Sequence, residues 1–285
     1  MSRILRIIYN VIIFLILSAT ALVFLFPIFI SIMRSFTPLT ELHGAPETFF
    51  RMPASPTARN YADLLFTDFE LPLLFPRYFL NSVLVTALVV VLQLWIATPA
   101  AYALAKVDFP GAGFLNRLLE AGLLFGGAVL FVNQYVVLNR LRLINTFPAL
   151  ILPLIVTAGV PGVFLMRQFI KQLPDDMIEA ARLSGASHAR ICRDLIIPNI
   201  KPARITAGIF ALTSAWYTGT NNFVYSEELK MLPSVMTRIN AAVGVNSAVA
   251  GVAVALATVM MLFPLAAFLI YQKSVINIMA YGGLK

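Results

Sequence analysis

The chain has 285 residues, 60% of them hydrophobic and 12% charged, and its formal net charge is +8. A soluble domain carries roughly 25% charged residues, so this composition excludes an ordinary water-soluble fold. A single cysteine, Cys192, excludes a disulfide framework, and the two histidines, His43 and His188, lack zinc-type spacing.

Six runs carry no charged side chain: 7–33, 78–105, 121–139, 143–166, 205–226 and 239–272. A helix needs about 20 apolar residues to cross roughly 30 Å of hydrocarbon, so each run is long enough to span. The spacing predicts spans near 7–33, 78–105, 118–138, 148–169, 204–224 and 246–271. The first follows Arg3 and Arg6 but is too long for a signal-peptide core, and no small-x-small cleavage site follows closely. It reads as a retained span. An outer segment, 34–77, is rich in proline and aromatic residues, with a short helix expected to begin at Asn60. In span two Ala97, Ala101 and Ala105 recur every four residues, which lets a neighbouring helix approach. Phe109-Pro110-Gly111 signals a turn. Arg117 and Glu120, three residues apart at the start of span three, are expected to pair. Pro148, Pro153 and Pro161 interrupt span four, and Pro264 is expected to kink span six.

With the N-terminus inside, the inner segments hold 13 of the 21 cations. That bias agrees with the positive-inside rule. The basic balance therefore reads as topology and requires no nucleic-acid partner.

The stretch Gln168–Ala203 between spans four and five reads as two short helices with a sharp corner. Pro174 and Asp175 open the first, and Asp175-Asp176 suit its positive N-terminal end. Glu179 and Arg182 stand three apart and can pair. Ala180 and Ala181 are small, so another surface can come close. Gly185 is placed to end the helix in a left-handed conformation. Ser187 is expected to cap the second helix and Pro198 to stop it. A solvated hairpin lying on anionic lipid is the alternative for this stretch.

Glu179-Ala180-Ala181, Gly185-Ala186 and Ile197-Pro198 resemble the EAA loop of ATP-binding-cassette (ABC) importer permeases, and the wider stretch is similar to the carbohydrate-importer branch, relatives of the second maltose-importer permease. Asn81-Ser82, Ala100–Ala105, Phe109-Pro110-Gly111, Asn145-Thr146, Ala149–Pro153 and Gly282–Lys285 carry the same resemblance. It implies an all-α membrane protein over 1–285, one permease domain with six transmembrane helices, an outer segment at 34–77 and a cytoplasmic EAA loop at 168–203. It implies a bacterial inner-membrane location with both termini cytoplasmic. The implied partners are a second homologous permease, two ATPase subunits, a periplasmic solute-binding protein and membrane lipid. Glu179, Ala180, Ala181, Arg182, Gly185, Ala186 and Pro198 would then belong to the surface that couples to the ATPase.

The chain itself has no G-x-x-x-x-G-K-[ST], G-x-S-x-G or H-E-x-x-H element. It is therefore expected to be non-catalytic and to bind no cofactor or metal, with ATP and magnesium held by the partner ATPases. The middles of the spans lack acids and bases, which argues against an ion-coupled carrier. Cargo contacts are then expected from neutral polar and aromatic side chains: Gln93 and Thr98 in span two, Asn133 and Gln134 in span three, and Thr213, Trp216, Tyr217, Asn221 and Asn222 in span five. Amides and hydroxyls fit sugar hydroxyls, and an aromatic face fits the apolar side of a pyranose. The sugar branch has a Trp-Asn-x-Phe-like element here, but Trp216 is followed by Tyr217-Thr218-Gly219-Thr220 before Asn221-Asn222-Phe223, so its residues do not transfer by position. The expected function is ATP-driven import of a sugar or oligosaccharide. The alternatives are a polyol or glycerol phosphate ester as cargo, or a stand-alone channel or ion-coupled carrier.

Overall fold

A computed structural model describes residues 3–42, 51–66, 72–124, 127–218, 223–243 and 249–282, with backbone alone at 3–5, 127–131 and 274–282. Among the described residues all regular structure is helical. The helices are α1 (Arg3–Ser35), α2 (Leu39–Leu42), α3 (Arg59–Phe66), α4 (Phe75–Lys106), α5 (Ala112–Gly122), α6 (Gly127–Arg140), α7 (Phe147–Lys171), α8 (Asp175–Leu183), α9 (His188–Asn199), α10 (Lys201–Tyr217), α11 (Leu232–Val243) and α12 (Ala250–Gly282). Four of them hold segments long and apolar enough to cross a bilayer: Arg6–Ser35, Phe75–Lys106, Phe147–Lys171 and Ala250–Lys273. α9 and α10 meet at 86°, and only as a pair do they match those four in length and apolarity. The expected third span is divided into α5 and α6, and residues 125–126 between them lie outside the described set.

The chain forms two compact units. The first comprises Met1–Phe75 and Met236–Met261. Here Asn60, buried on α3, is the fastener. Its side-chain amide donates to the carbonyls of Ser35 and Thr37, both at 2.9 Å, and so satisfies acceptors left open where α1 ends. Tyr61 donates to Ser35 Oγ at 2.7 Å. Gly251 passes so close that a Cβ there would meet Asn60 Oδ1 at 2.3 Å. The short helix expected near Asn60 is thus present, starting one residue earlier.

The second unit comprises Pro76–Val235 and Leu262–Lys285. α4, α7 and α10 pack on one another through two apolar clusters. One joins Val85, Val89, Leu150, Leu154 and Ala215. The other joins Ala97, Ala101, Met166, Ile170, Ala203 and Ala207. The alanines of α4 do allow the close approach expected of them. Gln93 reaches over Gly162, where a Cβ would stand 2.6 Å from its Nε2, and donates to Ala158 O at 2.9 Å. Thr157 Oγ1 donates to Pro153 O at 3.0 Å, inside the proline-interrupted stretch of α7. Phe109-Pro110-Gly111 is a turn of type II character: Gly111 has φ 92°, and Ala112 N donates to Phe109 O at 3.2 Å.

Glu120 does not choose Arg117. It pairs with Arg167 of α7 at 3.3 Å. Arg167 is buried and a buried cation needs a partner, whereas Arg117 is exposed and water can satisfy it.

Asn145 is the hub of the other end of this unit. It holds φ 63°, a left-handed conformation that Asn tolerates better than most residues. Its Oδ1 accepts from the backbone of Tyr225 (2.9 Å) and Ser226 (2.8 Å), and its Nδ2 donates to Ser226 Oγ at 2.7 Å. Asn81 binds the next carbonyls, Glu228 O and Lys230 O, and Ser82 Oγ accepts from Leu232 N. The link from Phe223 to Leu232 is therefore fixed by three polar side chains. Asn145→Ala should lower stability by about 2–4 kcal/mol, from three lost hydrogen bonds and backbone strain together. Asn145→Gly should recover only the strain. Thermal unfolding of the two variants in the same detergent checks the difference.

Candidate functional site: the hairpin between α7 and α10

The hairpin begins where Pro174 precedes Asp175. Proline cannot donate from its backbone, and the N-terminal position of a helix needs no donor there. α8 then closes with the two bonds of a Schellman motif: Ala186 N to Ala181 O (3.0 Å) and Gly185 N to Arg182 O (2.9 Å). Gly185 has φ 79°, as that motif requires. Ser187 caps α9 by accepting from Arg190 N at 3.4 Å.

Pro198 does not end α9, which runs on to Asn199. The turn before it widens instead into a π-helix over Cys192–Ile196, where Ile197 N bonds Cys192 O. A proline clashes with the carbonyl four residues back and removes one bond. Shifting the preceding turn to i→i+5 bonding accommodates it without breaking the helix. The stop falls at Ile200, with φ −101° and ψ 16°.

One face of the hairpin is sunk into the second unit. Ile178, Ile191, Ile196 and Ile200 are all buried, in one cluster with Ala97, Ala101 and Tyr102 of α4, Met166 and Ile170 of α7, and Ala203 and Ala207 of α10. Each buried isoleucine contributes about 1.5–3 kcal/mol. Exposed ion pairs contribute about 0–1 kcal/mol, so apolar burial decides where the hairpin sits. Two polar links then set its register. Lys106, the last residue of α4, donates to Leu173 O at 2.7 Å and to Asp175 Oδ1 at 2.6 Å. Tyr102, one turn earlier on α4, has its hydroxyl 3.2 Å from His188 Nδ1.

The opposite face is open. Glu179, Ala180, Arg182, Ser184 and Gly185 are exposed, and Leu183 is 91% exposed. Ala181 and Ala186 lie half-buried against the cluster, and Pro198 is exposed on α9. Glu179 and Arg182 form no ion pair among the described residues. Both are solvated, and a pair worth about 0.2–0.5 kcal/mol is too weak to hold two long side chains together. Farther along, a hydrogen bond from Arg193 (2.7 Å) outweighs desolvation and holds Asp194 below its ordinary carboxylate range.

The expected cargo residues scatter. Trp216 is fully buried, stacked on Phe263 with centroids 4.0 Å apart and edge-on to Phe79. Gln93 is fully buried with its Nε2 engaged by α7. Thr98 donates to Leu94 O and Thr213 to Ile209 O, each within its own helix. Tyr217 and Asn133 are exposed and Gln134 is half-buried. Asn221 and Asn222 lie outside the described residues. Lys106, Tyr102 and Arg167 went unnoticed in the sequence as parts of this region, although Lys106 already stood at the end of an uncharged run.

No family model matches this chain. It is 30% identical over 224 residues to the ABC transporter permease protein ORF2 of a Caldicellulosiruptor species, covering 79% of this chain and 77% of that one. It is 29% identical over 273 residues to the arabinooligosaccharides transport system permease protein AraQ of Halalkalibacterium halodurans, covering 93% and 92%. Among solved structures, a chain of a bacterial ABC transporter involved in the import of the acidic polysaccharide alginate superposes with a TM-score of 0.76 at 21% identity, covering 96% and 98%. The protein belongs to the family of ABC-transporter permeases and is a multi-pass protein of the bacterial inner membrane.

Two outcomes follow from the hairpin. Gly185→Ala meets open space but a left-handed backbone, so it should cost about 1–2 kcal/mol in thermal unfolding without a packing defect. Cys192 is buried, and desolvation pushes its thiol up while Arg204 pulls it down less strongly. A maleimide should therefore modify it far more slowly in the folded protein than after denaturation, as read by mass spectrometry.

Proposed function

We propose that this chain is the non-catalytic permease subunit of an ATP-driven sugar or oligosaccharide importer, and that the hairpin 168–203 is its cytoplasmic coupling loop. Six spans are completed by α5 with α6 as the third and α10 as the fifth, and both termini are cytoplasmic. The partners are a second permease, two ATPase subunits that hold ATP and magnesium, and a periplasmic solute-binding protein. One observation carries this reading. α8 is anchored along one face and bare along the other, with an exposed leucine among small and charged residues. With its helix already anchored on the other face, Leu183 can leave water only against a partner, a burial that contributes about 1.5–3 kcal/mol.

The names of relatives support the cargo class. One is the arabinooligosaccharide permease above. Another, 31% identical over 185 residues that cover 65% of this chain and 59% of that one, is the diacetylchitobiose uptake system permease protein NgcG of Streptomyces coelicolor. A neutral saccharide also suits a chain whose spans supply amides and aromatics. Asn133, Gln134 and Tyr217 are the accessible candidates for touching it, with Asn221 and Asn222 shortly after Tyr217 in sequence.

The docking surface is tested by purification. Leu183→Asp and Glu179→Lys should each strip the ATPase from the complex and abolish stimulated ATP hydrolysis, while the permease still folds. Full co-purification and hydrolysis in both variants would remove the hairpin from the docking surface. Transport by this chain alone in vesicles would remove the ATP-driven reading altogether.

A further inference from the structure

We propose that Lys106 and Tyr102 act as a two-point clamp that passes movement of the coupling hairpin into α4. The proposal rests on the reading of that hairpin as the ATPase-docking loop. α7 and α10 are joined to the hairpin through the backbone, by Gln172–Pro174 at one end and Ile200 at the other. α4 has no such link and must be moved through side chains.

Its last two turns supply them. Tyr102 and Lys106 are four residues apart, so they project from one face of the helix. Each engages the first turn of a different hairpin helix. Lys106 Nζ bridges Leu173 O and Asp175 Oδ1, immediately before and at the start of α8. Tyr102 meets His188, the first residue of α9. The Lys106 side chain is only 9% exposed. An ammonium removed from water to that degree is costly unless its donors are used, so the bond to Leu173 O holds a definite geometry rather than fluctuating like a surface pair. The charge also lies between the negative C-terminal end of α4 and the positive end of α8, where Asp175 offsets it. Small alanines at 97 and 101 bring α4 against the same cluster and leave little slack to absorb a displacement. Pulling either hairpin helix therefore loads the end of α4. Lys106 and Tyr102 are positioning residues, acting on α4 through the hairpin.

The test uses the whole complex in nanodiscs, with Cys192→Ala as background. Spin labels go on Leu88→Cys of α4 and Val156→Cys of α7, both exposed positions. Their separation is measured by pulsed EPR with and without Mg·ATP trapped by vanadate. The separation should shift on trapping when Lys106 is present. In Lys106→Met the shift should be lost while the ATPase still co-purifies and hydrolyses ATP, and Lys106→Arg should restore it. A purely structural role would lower stability without abolishing the shift selectively. If Lys106→Met does not assemble, the near-isosteric pair Tyr102→Phe with Asp175→Asn is read by the same shift. A docked, hydrolysing Lys106→Met complex that still shifts, or no shift with Lys106 in place, overturns the proposal alone. Intact docking and hydrolysis in both Leu183→Asp and Glu179→Lys remove the coupling-loop reading and this proposal with it.

Discussion

Four isoleucines, at positions 178, 191, 196 and 200, hold the hairpin to α4, α7 and α10. Any movement passed through the hairpin depends on that burial. A loop that only floated on the surface would bend when a partner pushed on it. Protein interiors are close-packed and transmit displacement instead of absorbing it. The apolar cluster therefore turns a connecting segment into part of the membrane domain. The polar links at its edge are small in energy beside it, but they select one register among the several that greasy surfaces would allow.

The local chemistry of the hairpin serves the same end. A glycine with positive φ, a capping serine and a widened turn ahead of Pro198 each let the chain change direction without leaving backbone groups unsatisfied. That matters near a bilayer, where water is not at hand to repair a broken turn. The same economy appears at the opposite end of the second unit, where Asn145, Asn81 and Ser82 bind backbone groups of a link that has little regular structure of its own.

Much of this was legible from residue order, for identifiable reasons. Bilayer thickness sets a length that uncharged runs either meet or miss, so α1, α4, α7 and the apolar part of α12 could be placed within a few residues. Gly185 announced the corner because few other residues fit its positive φ, and Ser187 because its hydroxyl can cap the helix that follows. Other features depend on what lies across space. Glu120 had a plausible neighbour three residues away, and its actual partner is Arg167, 47 positions on. The π turn leaves no periodic signature, since five residues are too few to shift a pattern. Trp216 looked like a sugar platform by residue type, yet Phe263 already covers its face. Amino-acid type alone cannot say which side of a helix is occupied.

α1 shows a different economy. From Arg6 to Phe29 none of its residues is buried within the chain. Its surroundings there are acyl chains or another polypeptide, and hydrocarbon exerts no preference among leucine, isoleucine, valine and phenylalanine. Wherever hydrocarbon is the neighbour, length and overall apolarity are what that stretch has to keep, and the identity of any one side chain matters little.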